Sequence, residues 1–239
     1  MESIMVKLPS GQINVEIIRK NIKNVHLKVF RDLSASLSVP TNTPFIWAEE
    51  FARSKSMWLD KQFTKYSRSS GYNNLASLKS GSSTQLLGKD LRIYIKYNIN
   101  ERVIADEKSV TVFLRDPKNE TRANNIFEKW WRKTAFNVYD KIVDQMMPIF
   151  IRHKINKPVI VIKKMKTLWG SCNKQLGKIT LNEYLLKADI RCIEYVVLHE
   201  LTHLLHNSHN KDFYDFLTIY MPDWKERKKQ LDTEVVQGL

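Results

Sequence analysis

Two histidines and a glutamate stand in the order His199-Glu200-Leu201-Thr202-His203, and His209 follows six residues later. Residues i and i+4 of a helix lie one above the other, so His199 and His203 point the same way and two imidazoles can reach one ion. Glu200 lies about 100° further round that helix. From there its carboxylate can face a water held by the ion without ligating the ion itself. His-Glu-x-x-His is the zinc-hydrolase spacing: two nitrogen ligands and a base on one helical turn. The neighbours Ile193, Val196, Val197, Leu198, Leu201, Leu204 and Leu205 are apolar almost all round, which marks a buried helix. Such a helix carries imidazoles and a carboxylate only where something satisfies them, because unpaired buried polar groups are costly. Hydrogen-bonded core histidines with Glu200 in a salt bridge are the alternative that needs no ion.

His209 stands ten residues after His199, the third-ligand spacing of the metzincin motif. His206 and Glu226 are its rivals. Three histidines on one straight helix would spread over about 10 Å, too far for one ion, so a ligand beyond the helix end is easier. His206 also occupies the place where that motif has a turning glycine. Asn207 or Ser208 could turn the chain instead, since Asn tolerates a left-handed backbone. Three neutral imidazoles leave one Zn²⁺ an open position for water, the catalytic arrangement. The expected chemistry is therefore that of a zinc-dependent hydrolase, in which Glu200 activates a zinc-bound water to attack a peptide carbonyl.

Positioning such a site needs a sizeable core, and 239 residues with 43% hydrophobic content supply one. No apolar run approaches the ~20 residues of a membrane span, and Met1 to Asn21 shows no signal-peptide pattern. Two cysteines, Cys172 and Cys192, make no disulfide framework, and a cytoplasmic protein is expected. The net charge of +14 includes eight basic and no acidic residues between Arg152 and Lys178. A solvated lysine-rich surface is the simpler reading; a rim for an acidic partner is the sharper one. No motif supports a nucleic-acid partner.

Alternation predicts strands at 13–17, 25–29 and 35–39, joined as a meander. A helical pattern runs from Pro44 to about Arg68, and Ser67 to Ser83 is the most linker-like stretch. Strands follow at 91–97 and 109–114. A long helix from about Glu120 to Pro148 carries Trp130 and Trp131 as packing aromatics. Strands at 159–163 and 178–181 precede the His-Glu helix, and two helices close the chain, at 212–220 and from Pro222 to about Val235. The expected fold class is α+β, with a β-rich region over 1–118 and a metallopeptidase-like region over 119–239.

Met165-Lys166-Thr167-Leu168-Trp169-Gly170-Ser171-Cys172, then Lys178-Ile179-Thr180-Leu181-Asn182, the His-Glu helix, His209 with Phe213, and Pro222-Asp223-Trp224 occur in the order seen in YgjP-like metallopeptidases. The chain resembles that family, zincin-type proteins of bacteria and archaea related to the SprT and WLM groups. The specific matches cover about 165–231. The resemblance implies a zincin-like catalytic part, with His199, His203 and His209 as ligands, Glu200 as base, and a protein or peptide substrate. Leu168 departs from the family, which commonly carries Arg there. Trp169, Gly170, Ser171, Ile179 and Thr180 are expected substrate contacts, the strand of Ile179 and Thr180 offering its edge to an extended peptide. Asp212 is expected to hydrogen-bond a ligand imidazole or to cap a helix. Cys172 is expected to pack a tight turn rather than react. A metal-stabilised basic binding module and a non-peptide amidase remain the competing functions.

Overall fold

A computed structural model describes residues 2–30, 34–68, 78–165 and 168–237. The chain divides into two compact units, 1–72 and 73–238. The division falls inside the Ser- and Gly-rich stretch rather than at residue 118, so the strands of 83–114 group with the helical half.

In the first unit, strands β1 (Glu2–Leu8), β2 (Gly11–Lys20), β3 (His26–Val29) and β4 (Ala35–Pro40) form a sheet ordered β1-β2-β4-β3. Ile4, Val6 and Leu8 of β1, a strand not foreseen in the sequence, alternate with exposed residues, and β1 pairs antiparallel with β2. The expected meander is corrected: β2 pairs parallel with β4, and β3 lies outside β4. Burial explains the order. Ala35, Ser36, Leu37 and Val39 are all buried and suit a central strand, whereas exposed His26 and Lys28 suit an edge. Helices α1 (Phe45–Ser54) and α2 (Ser56–Arg68) complete the core with Ala48, Ala52 and Leu59.

The second unit holds two sheets. Strands β5 (Ser83–Leu86), β6 (Lys89–Tyr97), β7 (Arg102–Ala105) and β8 (Ser109–Leu114) are ordered β5-β6-β8-β7. Leu91, Ile93, Val110, Val112 and Leu114 form the buried face, and helix α3 (Glu120–Ile151) packs on this sheet. The α3 stripe of Ala123, Phe127, Trp131, Ala135, Tyr139, Ile142, Val143, Met147 and Phe150 has helical spacing, and Asn119 caps its start. Trp131 is core, as expected: it is buried and donates its indole N–H to the Glu183 carbonyl.

Strands β9 (Val159–Lys163), β10 (Gly170–Asn173) and β11 (Lys178–Asn182) form the other sheet, ordered β10-β11-β9. A 3₁₀ turn, Glu183–Lys187, leads to α4 (Ile190–Thr202), α5 (Lys211–Tyr220) and α6 (Trp224–Gln237). Pro222 lies just before α6 rather than within its first turn. The basic stretch is partly engaged by α3: Lys157 pairs with Asp140 and Asp144, and Lys164 with Glu128. The α+β class holds, and no described helix is long and apolar enough to cross a membrane.

Candidate metal centre

Helix α4 starts at Asp189, whose carboxylate accepts the Arg191 N–H, and it buries Cys192, Ile193, Val196, Val197, Leu198 and Leu201. His199 lies in its last turn and His203 caps its C-terminal end. The chain then tightens: the Leu205 and His206 N–H groups both donate to the Thr202 carbonyl. Neither Asn207 nor Ser208 is left-handed, so the glycine-like turn expected there is not used; only Leu87 and Lys154 have positive φ among the described non-glycine residues. His209 arrives on this turn, just before Asn210 caps α5 by accepting the Phe213 N–H.

The three imidazoles converge. One nitrogen from each of His199, His203 and His209 lies within 4.8 Å of the others, and the His199 and His209 Nε2 atoms are 3.0 Å apart. Two nitrogens on one zinc at tetrahedral angles stand about 3.3 Å apart. Two acceptor nitrogens facing each other at this distance need a proton or a cation between them, so the donor set fits zinc. His203 Nδ1 meets the His206 carbonyl at 3.1 Å, which leaves its Nε2 lone pair free. His206, a rival ligand in the sequence, contributes its backbone instead. Burial pushes the His199 pKa down to about 3, with His203 and His209 adding repulsion, and burial also lowers that of His203. Both are neutral at pH 7, the form that ligates.

Aromatic rings hold the cluster. Phe213 of α5 is fully buried, its ring centroid 5.0, 4.7 and 4.7 Å from His199, His203 and His209. Tyr214 stacks on His209, Trp224 on Tyr214, and Tyr195 on Trp224. Asp212 does not take the expected roles. It is exposed in the first turn of α5, Asn210 is the cap, and among the described residues no hydrogen bond joins it to a ligand imidazole.

Glu200 is 5% exposed, and burial raises its pKa to about 8. It lies against β10 because Gly170 has no side chain: a Cβ there would stand 2.6 Å from both Glu200 Cγ and Oε1. No side chain could occupy position 170 without displacing the carboxylate. The approach to β10 is fixed by Asn182, which is 3% exposed. Its amide donates to the Met165 and Leu168 carbonyls, and its N–H donates to the Trp169 carbonyl. Nothing in the sequence spacing signals this clamp; Asn182 merely ends an apolar run. Burial and the Glu200 charge push the Cys172 thiol up to about 11, an unreactive state that agrees with a packing role.

The free edge expected of the strand of Ile179 and Thr180 is corrected. Ile179 and Thr180 are 0% and 9% exposed because β11 is the central strand, paired on both sides by β10 and β9. Among the described residues, the strand with one unpaired edge beside α4 is β10, which carries Gly170 and Ser171.

Among solved structures, the chain is similar to the crystal structure of the metallopeptidase zymogen jannalysin of Methanocaldococcus jannaschii. Identity is 28% over 39% of this chain and 92% of that one, with a TM-score of 0.33. No curated protein matches. The model of the YgjP-like metallopeptidase domain matches residues 23–234, most of the chain. With its histidine cluster and buried glutamate on the elements just described, the chain belongs to the YgjP-like metallopeptidase family.

Proposed function

We propose that this metallopeptidase-family chain is a zinc-dependent peptidase with His199, His203 and His209 as ligands and Glu200 as general base. The observation that carries the reading is one arrangement: three imidazole nitrogens within 4.8 Å, and, on the helix that carries two of them, a buried carboxylate pinned to a strand with an open edge. Zinc bound by the three imidazoles supplies Lewis acidity, lowering the pKa of water towards ~7 and polarising a carbonyl. Glu200, buried with no cationic partner among the described residues, holds its proton at neutral pH; a positive charge nearby returns it to the carboxylate. As carboxylate it takes a proton from the attacking water, and it then delivers that proton to the departing amine. Gly170 keeps it in line for both transfers.

An extended peptide adds to the free edge of β10 through main-chain hydrogen bonds, which makes Gly170–Asn173 the substrate-aligning strand in place of β11. Metal analysis of the purified chain, paired with peptide-library cleavage, tests the reading. One zinc per chain and peptide-bond cleavage are expected for the wild type. His209→Ala should bind zinc at least ~10-fold more weakly, and equal zinc affinity in this variant would reject the three-histidine site.

A further inference from the structure

The face of the β5-β6-β8-β7 sheet that points away from its core repeats a chemistry the peptidase reading does not use. Arg92, Tyr94 and Lys96 project from β6 on the side opposite buried Leu91 and Ile93. Cross-strand register sets Tyr94 beside Thr111, itself beside Ile104, and sets Lys96 beside Phe113, itself beside Arg102. Tyr94 is 41% and Ile104 47% exposed. The Lys96 ammonium lies over the Tyr94 ring, 5.6 Å from its centroid, so a base stacking on that face takes its place, and the Arg102 guanidinium lies over the Phe113 ring at 4.6 Å.

These cations have no acidic partner among the described residues. Arg92 donates to the Gly81 carbonyl, and Arg102 to Asn98 Oδ1 and the Asn100 carbonyl. At the margin Asp106 accepts the Lys108 and Ser109 N–H groups and Glu101 pairs with Arg122, while Glu107 stands exposed in the turn between β7 and β8. Asp90 is the one acidic residue on the face, at its far end beside Gln85. Arg92 and Lys96 stand four residues apart, about 13 Å along the strand, with Tyr94 midway. Cation, aromatic ring, cation is the order that takes a phosphate, a base and a phosphate. A carboxylate-rich peptide would use the cations and leave the ring idle.

We infer that this sheet face binds single-stranded nucleic acid, with a base stacked on Tyr94 and phosphates met by Arg92, Lys96 and Arg102. The overall charge of +14 draws such a strand to the chain, and the exposed Tyr94 ring favours unpaired bases, whose faces are free to stack, over a duplex. The inference stands apart from the peptidase reading, since none of these residues belongs to the metal centre.

Fluorescence anisotropy of the full chain with a labelled oligothymidylate of about fifteen nucleotides tests it. The strand should bind more tightly than the duplex of the same length. Tyr94→Ala should weaken binding at least about fivefold while Tyr94→Phe keeps it. Lys96→Ser and Arg92→Ser should each lower the salt-dependence slope by about one, and Lys96→Glu, on an exposed position that leaves the core untouched, should weaken binding further. Failure to bind, equal affinity of wild type and Tyr94→Ala, or displacement by poly-glutamate as effective as by unlabelled strand would each overturn the inference.

Discussion

The two sheets of the second unit solve opposite problems. In the β10-β11-β9 sheet, Ile179, Thr180, Leu181 and Asn182 of the central strand are all buried, so nothing projects from it to meet a ligand. That sheet acts through backbone and edge: Gly170 accepts Glu200 against it, and Asn182 clamps the chain leading into it. In the β5-β6-β8-β7 sheet, side chains alternate, Leu91 and Ile93 inward, Arg92 and Tyr94 outward. One sheet holds a carboxylate in place; the other displays a face. The same distinction decides what substitutions should do.

The largest stability effect belongs to the buried strand. Leu181→Ala removes a fully buried side chain and should cost about 2–5 kcal/mol in urea unfolding. A loss under about 1 kcal/mol would mean that the strand is not the packed centre of its sheet. Gly170→Ala should lower kcat/KM about 100-fold, about 2.7 kcal/mol at the transition state, with zinc content unchanged. The added methyl must displace Glu200 rather than any ligand, so lost zinc would show that Gly170 serves the fold instead.

The pH dependence of the metal-free chain separates the two buried titratable groups. His199 keeps a folded pKa of about 3, below its ordinary 6.5, so its contribution is present above pH 6.5 and lost as pH falls towards 3. Glu200 has a folded value of about 8, above its ordinary 4.5, so its contribution is present below 4.5 and lost as pH rises through 8. Thermal melts of metal-stripped protein should therefore show greatest stability between these limits. Each group contributes a slope of at most about 1.4 kcal/mol per pH unit. Glu200→Gln should flatten the alkaline side, and an unchanged alkaline decline would reject the burial of Glu200 as its cause. The smallest effect is on the displayed face: Ile104→Thr should change stability by no more than about 0.5 kcal/mol.

The histidine cluster was legible because its spacing is a local property: i, i+4 on one helix and a third histidine just past its end need no knowledge of the rest of the fold. The long α3 helix and the strands at 91–97, 109–114 and 159–163 were legible for the same reason, since each writes its periodicity into a contiguous stretch. Pairing is different. Residues 25–29 alternate like any sheet strand, yet β3 lies outside β4 because β4 is the more apolar, a comparison between segments that no single window contains. β11 reads as a strand but not as a central one, and β10, with the sequence Gly-Ser-Cys-Asn, has no hydrophobic alternation at all. The His206 carbonyl, the Asn182 clamp and the fit of Glu200 to Gly170 depend on backbone atoms and missing ones, to which side-chain patterns are blind.

Glu200→Gln carries the central claim, because the amide keeps the shape of the side chain and removes only its capacity to accept and return a proton. Zinc content and peptide cleavage measured on the same preparation decide it. The account predicts one zinc per chain in both proteins and at least about 10³-fold slower cleavage in the variant. Cleavage at the wild-type rate by the zinc-loaded Gln variant would contradict it.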